Sequence, residues 1–188
     1  AFARWASEME PDIREDLENY ATFHALSDDQ QGLAWWEWDA KYRDPRSLAV
    51  QGFVNTHLRE RLFYLYLQWQ FDEQWQQMRA ATAGTALIGD LPIYPNRNSA
   101  EVWRYQREHF DLNTKPGAPK DSFSPTGQEW PGVPYRWTTN EAAVTGFWQR
   151  RIRHAARYYD GMRVDHLLGF AGEWTIPLDQ PALAGKLV

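Results

Sequence analysis

A chain of 188 residues with a formal net charge of −5 can bury one core, or one core with an insertion, but is too short for a complete large barrel. Its arginines are scattered among carboxylates with no basic stripe, so nucleic acid is not expected as a partner. It has no cysteine, which excludes disulfides and thiolate metal sites and fits a cytoplasmic address, and no apolar run approaches the roughly 20 residues of a membrane helix.

Eleven tryptophans, nine tyrosines and nine phenylalanines are an unusual load for this length. Most should fill the core; the remainder would line a surface, and flat rings suit the apolar faces of sugars better than they suit phosphate.

The first 27 residues read as helix in two pieces. Phe2, Trp5, Ala6 and Met9 share a face, Pro11 and Asp12 restart the chain, and Ile13, Leu17, Tyr20, Ala21, His24 and Ala25 form the next stripe. Glu8, Glu10, Asp12, Glu15, Asp16 and Glu18 read as a solvated face. After the break at Gly32, Leu33, Trp35, Trp36 and Trp38 form an aromatic knot that could cap a helical subdomain over residues 1–50, the favoured reading, or contribute a sugar platform. The longest helix is expected over 52–83, with Val54, Leu58, Leu62, Leu65, Trp69, Trp75 and Met78 near helical spacing, Asp44-Pro45 as start signal and Gly84 as stop. Residues 87–94 then read as a buried strand. Asp90 inside that run should bond loops or face a substrate, since a buried charge without partners is costly.

Residues 95–137 carry six prolines and read as a long loop holding one short helix at 99–105, for which Asn98 or Ser99 is the cap. Long irregular loops inside compact domains are commonly functional. Helix returns at 141–159, with Val144, Trp148, Ile152, Ala155 and Tyr159 in register, and leads into Gly161-Met162-Arg163-Val164-Asp165-His166. Met162 and Val164 mark a short strand that ends at Asp165. Where strands and helices alternate around a barrel, residues at strand carboxyl ends face the active site, so Asp165 is the first candidate for chemistry. The five histidines are scattered without metal spacing, and neither a phosphate-cradling glycine loop nor a Gly-x-Ser-x-Gly elbow is present, so no metal or cofactor is expected.

Five segments in one order carry a resemblance: Gly89-Asp90-Leu91-Pro92-Ile93-Tyr94, Asn98-Ser99-Ala100-Glu101-Val102-Trp103, residues 121–130 from Asp121 to Trp130, Arg163-Val164-Asp165-His166 and Trp174-Thr175-Ile176-Pro177. Together they resemble the 4-α-glucanotransferases, the amylomaltases or disproportionating enzymes of glycoside hydrolase family 77. Leu17-Glu18-Asn19-Tyr20-Ala21 and Leu67-Gln68-Trp69 extend the likeness weakly to the amino-terminal helices.

The resemblance implies an α/β fold, a helix-rich partial (β/α)8 TIM-barrel segment over 51–188 with a helical insertion over 1–50 and a long active-site loop at 95–137. It implies transfer of α-1,4-glucan segments, from glucan or maltooligosaccharide, by a retaining mechanism. Such enzymes use two carboxyl groups about 5–5.5 Å apart, one attacking the anomeric carbon and one serving as acid and then base. Asp165 matches the nucleophile, Arg163 would hold it ionised and oriented, and His166 would contact the sugar at the cleavage point. Asp121, Gln128 and Trp130 match the acceptor side of the cleft, where a covering loop excludes water, although Trp130 also reads as a loop anchor. Asn98 and Asp90 complete the expected substrate-binding set.

The sequence also departs from the family pattern. Asn98 stands where aspartate is usual, Ser122 where an aromatic is usual and Leu168 where arginine is frequent, and Trp130-Pro131-Gly132-Val133-Pro134-Tyr135 differs from the usual loop. The family's acid/base glutamate and a further aspartate are expected on strands beyond Val188, so the isolated chain is expected to turn over little. Uncovered strand edges would favour self-association. The alternative is a non-catalytic glucan-binding or interaction protein on a degenerate scaffold, for which Asn98 and Ser122 speak.

Overall fold

The computed structural model describes residues 1–188 apart from the side chain of Leu168, so the departure noted at that position lies outside the described side chains. The chain divides into two compact units, 1–87 and 88–188. Compactness therefore groups the long helix with the amino-terminal helices, and its division does not fall at residue 50.

The first unit is helical: α1 (Phe2–Glu8), α2 (Pro11–Asp29), α3 (Ala40–Arg43), α4 (Leu48–Thr56) and α5 (Leu58–Ala81). Pro11 opens α2 at a position where its missing N–H costs nothing. Phe23, Leu26, Trp38 and Phe53 are buried, and the Phe23 and Trp38 rings pack 5.2 Å apart.

The helix expected over 52–83 differs in two respects. His57 leaves helical geometry (φ −114°, ψ 44°) and separates α4 from α5, and the start signal is Ser47, whose side chain accepts from the Val50 N–H, rather than Asp44-Pro45. The apolar stripe is also not the buried face, since Leu58 and Leu62 are exposed while Arg61 and Asp72 are buried. The buried face is held by polar pairing. Arg61 donates to Glu18 at 2.6 Å and Thr22 at 3.0 Å on α2, which takes Glu18 out of the purely solvated face expected for it, and Asp72 accepts from Trp5 Nε1 at 3.0 Å.

The second unit contains β1 (Ile88–Leu91), α6 (Ala100–Tyr105), β2 (Thr114–Ala118), β3 (Gln128–Glu129), α7 (Trp137–Ala155), β4 (Gly161–Val164), β5 (Trp174–Pro177) and β6 (Lys186–Leu187), with 3-10 turns at Leu167–Phe170 and Ala182–Ala184. Its core gathers Val102, Trp103, Phe110, Val133, Val144, Phe147, Trp148 and Ile176. Ser99, not Asn98, caps α6 by accepting from the Val102 N–H. Asn140 breaks the helical geometry inside α7, so its regular run begins at the residue expected from periodicity.

β1 and β4 pair in parallel, with Asp90 opposite Arg163 and Leu91 opposite Val164. The strand expected to be buried over 87–94 is shorter and partly open: Ile88 is exposed, because among the described residues β1 has β4 as its one strand neighbour. A second sheet, in the order β3-β2-β5-β6, is antiparallel throughout. Two of its strands come from the segment read as loop. Pro116 and Gly117 lie within β2, both poor strand formers, so the pairing with β5 rather than local preference makes the strand.

Candidate active site

The site assembles where β1 and β4 end side by side. Arg163 projects from β4 and donates from one terminal nitrogen to Asp90 Oδ2 and from the other to Asp165 Oδ2, each at 2.8 Å. Arg163 and Asp165 are two residues apart and so share a side of the extended chain, while Asp90 reaches the same guanidinium from the paired register. Asp90 is not buried as expected: its side chain is 62% exposed and Asp165 is 73% exposed, so both carboxylates are open to a ligand.

The chain turns sharply after Asp165. His166 has φ +53°, in the left-handed region that histidine tolerates better than bulkier residues, and its N–H donates to Asp165 Oδ1 at 2.9 Å. Both Asp165 oxygens are thus engaged, one by Arg163 and one by the turn. The His166 ring meets the Trp130 ring edge to face with centroids 4.6 Å apart, and Trp130 lies 6.4 Å from Tyr94. Trp130 is itself steadied by Nε1 donating to Gln128 Oε1 at 3.0 Å and by its N–H donating to Pro116 O at 2.9 Å. These bonds make Trp130 an anchor of its loop, with its ring against His166.

The other two expected residues sit in turns of their own. Asp121 Oδ1 accepts from the N–H groups of Phe123 and Ser124, closing the loop on which it stands. Asn98 is exposed just before α6, its N–H donating to Asn96 Oδ1 at 2.8 Å.

Sequence reasoning missed what lies beneath the ring wall. Tyr94 stacks on Tyr135 at 6.2 Å, and its buried hydroxyl faces Glu173 without a hydrogen bond of normal geometry among the described residues. Glu173 is 3% exposed and accepts from the Tyr135 N–H at 3.1 Å. Burial, helped by the nearby charge of Asp111, pushes its carboxyl up to about 8 against the pull of Tyr135 and Tyr94. Gly169 lets the 3-10 turn close over this pocket: a Cβ there would stand 2.5 Å from Ile93 Cδ1 and 3.2 Å from the Tyr94 hydroxyl. In the sequence, the one hint of Glu173 was an acid placed directly before an apolar strand.

Among the described residues, no group of three or more histidines, aspartates or glutamates could hold a metal ion, and no helix is long and apolar enough to cross a membrane. The arrangement offers an open, oriented carboxylate beside an aromatic wall, which suits attack on a sugar.

The profile of glycoside hydrolase family 77, described as 4-alpha-glucanotransferase, matches residues 2–188. The chain belongs to this family. Its curated relatives include 4-alpha-glucanotransferases of Aquifex aeolicus, 34% identical over 181 residues, and of Thermus thermophilus, 36% identical over 180 residues. Each alignment covers 92% of this chain but only 37% and 36% of the relative, so the chain spans little more than a third of the family members it matches. An amylomaltase from Streptococcus agalactiae, solved with acarbose, superposes with a TM-score of 0.85 at 28% identity, covering 99% of this chain and 39% of that one. Amylomaltase from Corynebacterium glutamicum shares the fold, with a TM-score of 0.70 at 24% identity over 92% of this chain and 23% of its own.

Proposed function

We propose that the chain is part of a 4-α-glucanotransferase that moves α-1,4-glucan segments by a retaining double displacement, with Asp165 as nucleophile. The observation that carries this reading is the double engagement of Asp165 by Arg163 and the His166 N–H, at an exposed strand end, in a chain that belongs to the family. Asp165 would attack the anomeric carbon as the glycosidic oxygen leaves, and the acceptor hydroxyl would displace it in the second step. Arg163 orients the carboxylate, with Asp90 acting on Arg163 rather than on sugar. His166 and Trp130 offer the sugar a ring wall, with Gln128 behind; Asn98 and Asp121 are placed at the periphery.

In this reading residues 51–188 form a segment of a (β/α)8 barrel, residues 1–50 a helical insertion, and the isolated chain turns over little because its acid/base partner belongs to the rest of the enzyme. The uncovered edges of β1 and β4, with Ile88 and Leu167 exposed nearby, then favour self-association of the isolated chain.

A trapping reagent that carries its own leaving group tests the nucleophile directly. 5-Fluoro-α-glucosyl fluoride should release its anomeric fluoride as the full-length protein gains a glycosyl ester on Asp165, seen by peptide mass spectrometry. The protein should also disproportionate maltotriose, and Asp165→Asn should abolish transfer while sparing the fold. An adduct on another carboxylate, or unchanged glucose release in the variant, overturns the assignment. Tight glucan binding with neither adduct nor transfer would favour the non-catalytic alternative.

A further inference from the structure

Glu173 is the most deeply buried carboxyl among the described residues, and the chemistry proposed for Asp165 does not use it. At 3% exposure it cannot touch a sugar, so it is not a proton donor to the reaction. Its surroundings instead join every part of the wall. Its carboxyl takes the Tyr135 N–H, and its backbone exchanges two hydrogen bonds with Val188 at 3.0 and 2.9 Å, fixing the head of β5. The Tyr94 hydroxyl faces it. Tyr94 in turn neighbours Trp130, and Trp130 packs on His166, whose N–H caps Asp165.

We propose that Glu173 is the positioning residue of the glucan site: from beneath, it ties Tyr94 and the Tyr135 segment to β5 and so sets the Tyr94, Trp130 and His166 wall beside Asp165. The description of that wall as a glucan surface rests on the function proposed above; the mechanical coupling does not.

The proton on Glu173 is part of the device. A buried carboxylate facing the charge of Asp111 is costly, whereas the neutral acid carries an O–H, and the adjacent Tyr94 oxygen is a buried atom without a hydrogen bond of normal geometry among the described residues. The groups that face Glu173 are Tyr94 after β1, Asp111 before β2, and Tyr135 before α7, whose hydroxyl is held by Arg151 Nη1 at 3.2 Å and by Ile93 O at 2.7 Å. Burial raises both tyrosines far above neutral pH, so neither changes charge where Glu173 does. Losing the Glu173 proton removes that donor and leaves a buried charge near Asp111 that only the Tyr135 N–H and the Tyr94 hydroxyl can answer, and the wall shifts.

The full-length protein carries the test, since the readouts are spectroscopic and need no glucan. With carbon-13 on glutamate side chains, one carboxyl should titrate near pH 8, and its signal should vanish in Glu173→Gln. The Trp130 indole N–H, assigned by its loss in Trp130→Phe, should shift with the same midpoint in the wild type. In Glu173→Gln, which keeps the hydrogen-bonding groups without the charge, that peak should hold its low-pH position throughout; in Glu173→Leu it should be displaced at every pH. If no glutamate titrates above pH 7, if the Trp130 step survives in Glu173→Gln, or if Glu173→Leu resembles the wild type, the proposal falls. Should Glu173→Gln not fold, a shared midpoint in the wild type supports the coupling and separate midpoints refute it. A wrong glucan assignment changes none of these outcomes.

Discussion

Asp90 stands directly opposite Arg163 in the β1–β4 register and takes one of its terminal nitrogens at 2.8 Å, leaving the other for Asp165. Asp90 thus holds the same guanidinium that bonds Asp165, while its own carboxylate stays exposed. Replacing Asp90 by Ala should change stability by no more than about 1 kcal/mol, because the pair is exposed and water screens it. Transfer by the full-length protein should nevertheless fall by about tenfold or more, as misplacement of a reacting group does. Thermal melts beside maltotriose disproportionation separate the two effects.

Arg61 is the polar lock of the helical unit. Removing it in Arg61→Ala deletes the bonds to Glu18 and Thr22 and leaves a hole between α2 and α5, for an expected loss of about 2–3 kcal/mol in urea unfolding. Glu18 is half exposed and can rehydrate, so Arg61→Met should recover much of the loss. Equal losses in the two variants would mean that packing contributes little.

Gly117 sits where β3 crosses β2 so closely that a Cβ would collide with the backbone carbonyl of Gln128 and with Ile176. Backbone cannot yield cheaply, so Gly117→Ala should detach the segment carrying Gln128 and Trp130. Hydrogen exchange at the Trp130 N–H, which is bonded to Pro116 O, should accelerate strongly while α7 stays protected.

Two buried groups give stability opposite slopes with pH. Burial, and then the charge of Arg150, hold the His109 imidazole at about 4 against 6.5 when unfolded. The unfolded chain therefore binds a proton first, and the stability His109 supports is present above pH 6.5 and lost as pH falls toward 4. For Glu173, raised from 4.5 to about 8, the unfolded chain ionises first, so stability is complete below 4.5 and declines as pH rises to about 8. The slopes oppose each other between 4.5 and 6.5, and above 6.5 the glutamate acts alone. Melting temperature should thus fall from pH 6.5 to 8, and Glu173→Gln should abolish that fall. His109→Phe, in a pocket of Tyr105 and Phe147 rings, should flatten the acid side.

The site was legible wherever its geometry is local. Arg163, Asp165 and His166 are consecutive or alternate along one strand end, and strand periodicity places them together without knowledge of the rest. Helices α2 and α7 followed from apolar spacing for the same reason. The antiparallel sheet was not legible, because β2 owes its strand to partners some 60 residues on and contains residues that argue against one. The buried face of α5 was misread because an arginine and an aspartate take it, paired across helices, whereas periodicity counts only apolar side chains. Glu173 was legible only as an acid before an apolar strand, since nothing in its neighbours along the chain announces Tyr94 or Tyr135.

The left-handed backbone of His166 restricts which residues can stand beside Asp165 at all. Asn or Gly would keep the turn and remove the ring; Val or Ile would strain the main chain and, by turning the peptide, also release the Asp165 oxygen that the His166 N–H holds. A β-branched replacement would therefore damage the carboxylate even if the imidazole had no part in chemistry. The contribution of the ring is the difference between histidine and asparagine at this corner, whereas residues that the turn does not admit act through the main chain on Asp165.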